Sequence, residues 1–209
     1  MDAYQETLKT WNSLAAFYEE RFMDLPIYNA SYDQFLQKLN GESPQVLELG
    51  SGPGNICRYM LSKKPNTRWL GTDAASEMVS FAQKNNPTAT FKVMDARSLN
   101  SLQKAFDGVV SGFCIPYLNQ DDVETFLKES YRLLETRGVL YLSFVSGSPK
   151  TSGYQTGSSG QRVYFYFHES AHLEKSLTEI GFSQIEKMEV AYRKSDHSDE
   201  THTILIAIK

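Results

Sequence analysis

Leu8, Trp11, Ala15, Tyr18 and Phe22 recur at intervals of three and four residues, the stripe of an amphipathic helix over about residues 2–23. A second helical stretch is expected from Ala30 to Leu39, after Pro26. From residue 46 onward, short apolar runs alternate with helical periodicity. Strands are expected at Val46–Leu49, Arg68–Asp73, Thr90–Met94, Gly108–Phe113 and Val139–Val145, with helices near 54–63, 75–85, 98–105 and 121–135. The last of these helices has the fullest signature. Asn119 is its cap, acids fill its first turn, Val123, Phe126, Leu127, Tyr131 and Leu134 form its stripe, and Gly138 ends it. A helix near 169–180 leads to strands at about 182–193 and 202–208, and the short charged connection between them makes the two antiparallel. Alternation of this kind predicts an α/β fold on a parallel sheet.

One stretch breaks the pattern. Residues 146–160 are so rich in Ser and Gly that they read as a mobile surface loop, either a lid over a site or a tolerated insertion. A chain of 209 residues with 41% hydrophobic and 22% charged residues otherwise suits one globular domain, here a helical cap over 1–42 and an α/β core over 43–209. The net charge is −4 and the 21 Lys and Arg are scattered, so no basic stripe awaits nucleic acid. Charges in the first ten residues argue against a signal peptide, no run is long enough to span a membrane, and a cytoplasmic protein is expected. Cys57 and Cys114, without metal or disulfide spacing, read as buried free thiols.

The chemistry gathers at strand ends. Glu48, Asp73 and Asp95 each close an expected strand, although charges in strands covered on both faces are costly unless something answers them. In open α/β sheets that carboxyl edge borders the ligand crevice, and three acceptor-only groups there call for a ligand rich in donors. The first acid is followed by Gly50-Ser51-Gly52-Pro53-Gly54, where absent side chains let backbone turn tightly or approach a ligand. A phosphate-binding loop is disfavoured because no Lys and hydroxyl pair follows Gly54. A dinucleotide loop would need glycine where Asn55 stands, and Glu48 would face its pyrophosphate, so a nicotinamide-dependent oxidoreductase is the weaker enzyme reading.

In their order and spacing these segments resemble the class I S-adenosylmethionine-dependent methyltransferases: V-L-E-L-G-S-G-P-G-N (46–55), G-T-D-A-A-S-E-M-V (71–79), F-K-V-M-D-A-R-S-L (91–99) and F-D-G-V-V-S-G-F (106–113). R-G-V-L-Y-L-S-F (137–144) and L-x-x-I-G-F (177–182) extend the resemblance over most of the chain. It implies a Rossmann-like, doubly wound, mostly parallel seven-stranded sheet with a C-terminal antiparallel hairpin strand, and S-adenosyl-L-methionine as cofactor. Its methionine end would meet Glu48 and the loop of Gly50, Ser51, Gly52, Gly54 and Asn55. The ribose would meet Asp73, with Ala74 and Met78 beside the adenosine, while Asp95 would accept from the adenine amine next to Ala96. Gly112 and Phe113 would lie under the sulfonium. Trp11 and Tyr18 are either lid contacts or plain core residues.

Methyl transfer from a sulfonium needs alignment and dryness more than a catalytic side chain. Tyr117 and His168 are the candidate bases if the acceptor needs one, each with an ordinary structural reading beside it. His172, His197 and His202 read as exposed and receive no role, and no metal set is formed. The S-G-F-C-I-P-Y stretch (111–117) lacks the acid or amide typical of base and amide methylases. A small-molecule acceptor is therefore expected, with a non-catalytic S-adenosylmethionine-binding module as the alternative.

Overall fold

The computed structural model describes every residue except Met1, Ser158, Ser195 and Asp196; the latter two fall in the expected charged connection and Ser158 in the expected loop, outside the described residues. The core is built from β1 (Gln45–Leu49), α3 (Asn55–Lys63), β2 (Arg68–Asp73), α4 (Ser76–Asn85), β3 (Thr90–Val93), β4 (Phe106–Gly112), α5 (Gln120–Leu133), β5 (Leu134–Val145), α6 (Ser170–Ile180), β8 (Ser183–Arg193) and β9 (Asp199–Ile208). Two helices precede it, α1 (Ala3–Phe22) and α2 (Asn29–Lys38). The sheet order is β3-β2-β1-β4-β5-β9-β8, and β1 to β5 run parallel. β9 runs antiparallel to both of its neighbours, so its first residues lie at the carboxyl edge of the parallel strands.

Alternation along the central strands explains the double winding. Leu47, Leu49, Val109, Leu140 and Leu142 turn to one face and pack on α5 and α6 through Phe126, Leu127, Leu173 and Leu177. Val46, Val110, Val139 and Tyr141 turn to the other and meet Phe35, Ile56 and Met60 of α2 and α3. Both faces are dry, as near-continuous apolar strands require. No helix among the described residues is long and apolar enough to cross a membrane.

Three expectations need correction. The segment expected as a helix at 98–105 is a 3-10 turn over Ala96–Ser101, entered at Asp95, which accepts from the Arg97 amide, and broken by non-helical backbone at Ser98. The clearest helix does begin at Asn119, whose side chain accepts from the Asp122 amide, but it ends at Leu133 and Gly138 sits inside β5. The chain turns extended at Leu134, and the last carbonyls are met from afar. The Lys209 ammonium donates to Tyr131 O and Leu134 O at 2.7 Å each. Removing those charge-assisted bonds in Lys209→Met is expected to lower stability by about 1–2 kcal/mol, read by thermal unfolding against wild type.

The third correction concerns the Ser- and Gly-rich stretch, whose described residues carry regular structure. It contains a 3-10 turn at Pro149–Thr151 and, with the residues after it, the antiparallel pair β6 (Gly153–Thr156) and β7 (Arg162–Phe165). This hairpin is fastened to α1. Thr7 Oγ1 accepts from the Tyr164 amide at 2.9 Å, Thr10 Oγ1 donates to Arg162 O at 2.9 Å, and Glu6 accepts from Arg162 Nε at 2.6 Å and from the Tyr154 hydroxyl at 3.0 Å.

Candidate active site

The glycine loop joins β1 to α3 with three left-handed residues, Gly50, Gly52 and Gly54 at φ of 69°, 51° and 84°. Two of them are also places of close approach. A Cβ on Gly50 would come 2.7 Å from that of Cys114, and one on Gly54 would come 2.3 Å from Asn86 Nδ2. At Gly52 the space is open to 3.7 Å, where Tyr18 begins. Asp73, at the end of β2, fixes this loop. Its Oδ2 accepts from the Gly52 amide at 2.9 Å and its Oδ1 from the Ala75 amide at 2.8 Å, which ties the loop to the start of α4. Burial raises the Asp73 pKa and these two amides oppose the rise.

Above the loop lies a cavity of about 120 Å³. Its floor comes from Gly50, Gly52, Asp73 and Ala74, and its sides from Met78, Ala96, Gly112 and Phe113. α1 closes the top with Trp11 and Tyr18, which line the cavity and also pack against Ala15, Ala75 and Met78. Tyr117 also lines the cavity, edge-on to Trp11 at 5.5 Å between centroids. Asn12 holds α1 down by accepting from the Glu77 amide and Ser76 hydroxyl at the first turn of α4, which has no cap of its own.

Six of the expected site residues stand outside the cavity lining. Glu48 is 0% exposed, its Oε2 accepting from Trp69 Nε1 at 2.9 Å. Its Oε1 has no partner among the described residues, and neither has the buried Ser51 hydroxyl. Burial pushes the Glu48 pKa up to about 8, although the Trp69 hydrogen bond works the other way. Gly54 caps α3 and accepts from Asn86, while Asn55 faces a separate pocket beside Asp24 and Arg58. Asp95 is engaged by its own chain, with Arg97 Nε at 3.1 Å from both oxygens and its other nitrogen at 2.7 Å from Oδ2. Burial works to raise its pKa, but the Arg97 pairing prevails and lowers it. The Arg97 guanidinium in turn lies 3.6 Å from the centre of the Tyr4 ring. His168 is buried with Nε2 3.1 Å from Ile115 O, a residue that braces the 115–117 turn.

Sequence reasoning missed other members. Tyr4, Thr7, Leu8, Met94, Cys114 and Leu118 line the same cavity, and Cys114 is only half-buried. The α1 residues were within reach of the stripe argument, since Leu8 belongs to it and Tyr4 and Thr7 continue it by one turn. A second cavity, of about 460 Å³, lies beneath the β6–β7 hairpin and shares Trp11 and Tyr18 with the first. His202, read as exposed, is 6% exposed and packs edge-on to Phe113 at 4.8 Å between centroids.

Residues 46–138 match a family model described as a methyltransferase domain. The chain is 32% identical over 113 residues to the putative methyltransferase 235L of Invertebrate iridescent virus 6, covering 54% of this chain and 40% of that protein. It is 31% identical over 98 residues to the demethylmenaquinone methyltransferase of Thermotoga maritima, covering 47% of this chain and 42% of that protein. The chain thus spans less than half the length of these two curated relatives. Among solved structures, the magnesium protoporphyrin IX methyltransferase of Synechocystis PCC 6803 with bound S-adenosylmethionine superimposes at a TM-score of 0.73, with 18% identity over 100% of this chain and 98% of that one. The N-methyltransferase NodS of Bradyrhizobium japonicum WM9, in complex with S-adenosylhomocysteine, does so at 0.71, with 15% identity over 98% of both chains. At such identities the likeness speaks for the fold alone. The segment that matches the methyltransferase-domain model contains Glu48, Asp73, Asp95 and the glycine loop together, on a sheet with the fold of the solved methyltransferases.

Proposed function

We propose that the chain binds S-adenosylmethionine at the carboxyl edge of β1, β2 and β4 and methylates a small molecule held in the adjoining cavity. The observation that carries this reading is the pair of cavities meeting at Trp11 and Tyr18. A sensing module needs one pocket, whereas a transferase needs an acceptor beside the methyl donor.

The residues suit the donor, with one exception. Its ammonium has an acceptor in the unpartnered Oε1 of Glu48, reached through water, and its ribose hydroxyls have one in Asp73, which keeps lone pairs beyond the two amides. Asp95 is the exception, because Arg97 already occupies the acceptor positions meant for the adenine amine. Adenine would instead be held by apolar contact with Met78, Met94 and Leu118, which line the cavity. When bound, the sulfonium supplies an already activated methyl group. The work of the protein is to hold it, exclude water with Trp11, Tyr18 and Phe113, and orient the acceptor.

A cavity of about 120 Å³ is smaller than the roughly 300–1,000 Å³ of sites for such ligands. Admitting the donor would therefore require α1, which supplies Trp11 and Tyr18 to the cavity, to give way. Titration calorimetry of the full chain with S-adenosylhomocysteine tests the reading. Micromolar binding, accompanied by slower amide exchange in α1, is expected. No binding of either S-adenosylhomocysteine or S-adenosylmethionine would overturn it.

A further inference from the structure

Because β9 is reversed, it delivers side chains to the functional edge from its amino end. His202 pairs with Val145 at the end of β5, and Glu200 pairs with Tyr192 of β8. The His202 ring is bonded on both nitrogens, Nδ1 lying 2.7 Å from the Tyr28 hydroxyl and Nε2 lying 3.0 Å from Glu200 Oε2. Its plane lies within 10° of that of Tyr28, whose hydroxyl meets Nδ1, and within 15° of that of Tyr192, at 4.9 Å between centroids. Hydrogen bonds at both nitrogens orient the ring.

Its partners also fix its proton. A neutral imidazole has one donor and one acceptor, and the ionised Glu200 carboxylate only accepts. Nε2 therefore donates to Glu200, and Nδ1 accepts from the Tyr28 hydroxyl. The far end of this chain opens into the second cavity, which Glu200 and Tyr192 both line. Glu200 Oε2 is taken by His202, and Oε1 forms an ion pair with Lys194 Nζ at 3.7 Å, longer than a hydrogen bond, which leaves its lone pairs open to a donor. The cavity wall combines the aromatic rings of Phe17, Phe22, Phe165 and Phe167 with the cationic side chains of Arg21 and Lys194.

We propose that Glu200 is the polar anchor of the acceptor cavity, that it receives the O–H or N–H of a flat, mostly apolar ring compound, and that His202 and Tyr28 are positioning residues which hold it there. This rests on the transfer reading for the role of the cavity, but the chemistry of the anchor can be tested apart from it. A carboxylate selects for donors. 2-Naphthol and 2-methoxynaphthalene share a ring system and differ in the presence of a donor. In the wild-type chain 2-naphthol should bind about tenfold or more tightly, as a charge-assisted hydrogen bond implies.

Glu200→Gln makes the test sharp. The amide oxygen still accepts from His202, so the amide nitrogen, a donor, turns to the cavity. The naphthol preference should then fall below threefold. His202→Phe keeps an aromatic ring in place but frees Glu200, and should give an intermediate preference. Binding is read by calorimetry, with thermal unfolding to show that each variant is folded. If His202→Phe does not fold, Glu200→Gln alone decides. Equal binding of the two compounds to wild type, no binding of either, or a preference that survives Glu200→Gln would overturn the proposal. S-adenosylhomocysteine titrated on the same samples separates the cases, since its failure to bind brings down the transfer reading and not the anchor.

Discussion

Asp73→Ala is expected to weaken binding of S-adenosylmethionine by about a hundredfold, or roughly 2.7 kcal/mol. The carboxylate does two things at once. It holds the Gly52 and Ala75 amides at 2.9 and 2.8 Å, and so fixes the shape of the glycine loop relative to α4. It also lines the cavity, where its remaining lone pairs are offered to ribose hydroxyls. Hydrogen bonds to an ionised group contribute about 1.5–3 kcal/mol each when desolvated, so losing the ligand's share alone accounts for most of the effect. Loosening of the loop adds an ordering cost on binding. Asp73→Asn should fall between wild type and alanine, because an amide keeps one acceptor but turns a donor toward the second N–H. Calorimetry on the three proteins measures this series, and a loss of less than threefold in the alanine variant would refute the assignment.

What the sequence disclosed about this site follows from how local the cause is. The loop at 50–54 and the acid closing β2 were legible because the glycines and the strand end are neighbours along the chain. The five parallel strands were legible because apolar runs bounded by turns report burial on both faces. The β6–β7 hairpin was not, since the residues leading into and between its strands are rich in Ser and Gly and it is tied down by Thr7, Thr10 and Glu6, some 150 residues earlier. Lys209 ends α5 from the far end of the chain, which is why Gly138 looked like the stop. Asp95 fails differently. Its partner Arg97 is two residues away, yet strand-end position alone gave it a free carboxylate. His202 was misjudged because it follows a charged turn, and only the antiparallel register of β9 carries it inward against Phe113.

Stability is expected to fall as pH rises from about 5 to 8, and Glu48→Gln should abolish most of that slope. Burial pushes the folded-state pKa of Glu48 up to about 8, the Trp69 hydrogen bond pulls it back and the Asp73 charge raises it further. The unfolded chain has an ordinary carboxyl near 4.5. Between those values the native state holds a proton that the unfolded state has released. The stabilisation is complete below the unfolded value and is lost as pH climbs through the folded one, at up to about 1.4 kcal/mol per pH unit. Over the window that amounts to a few kcal/mol, a large part of the stability of a typical domain. Glutamine keeps an acceptor for the Trp69 indole and carries no charge, so its denaturation midpoint should vary little across the same range; a variant that retains the wild-type slope would show that another group is responsible. The same proton links stability to ligand. An ammonium near the unpartnered Oε1 favours the carboxylate, so the affinity of the wild-type protein for S-adenosylhomocysteine should rise from pH 6 to 8, with protons released on binding. In Glu48→Gln both the rise and the proton release should disappear, and their persistence would place the ammonium elsewhere in the cleft.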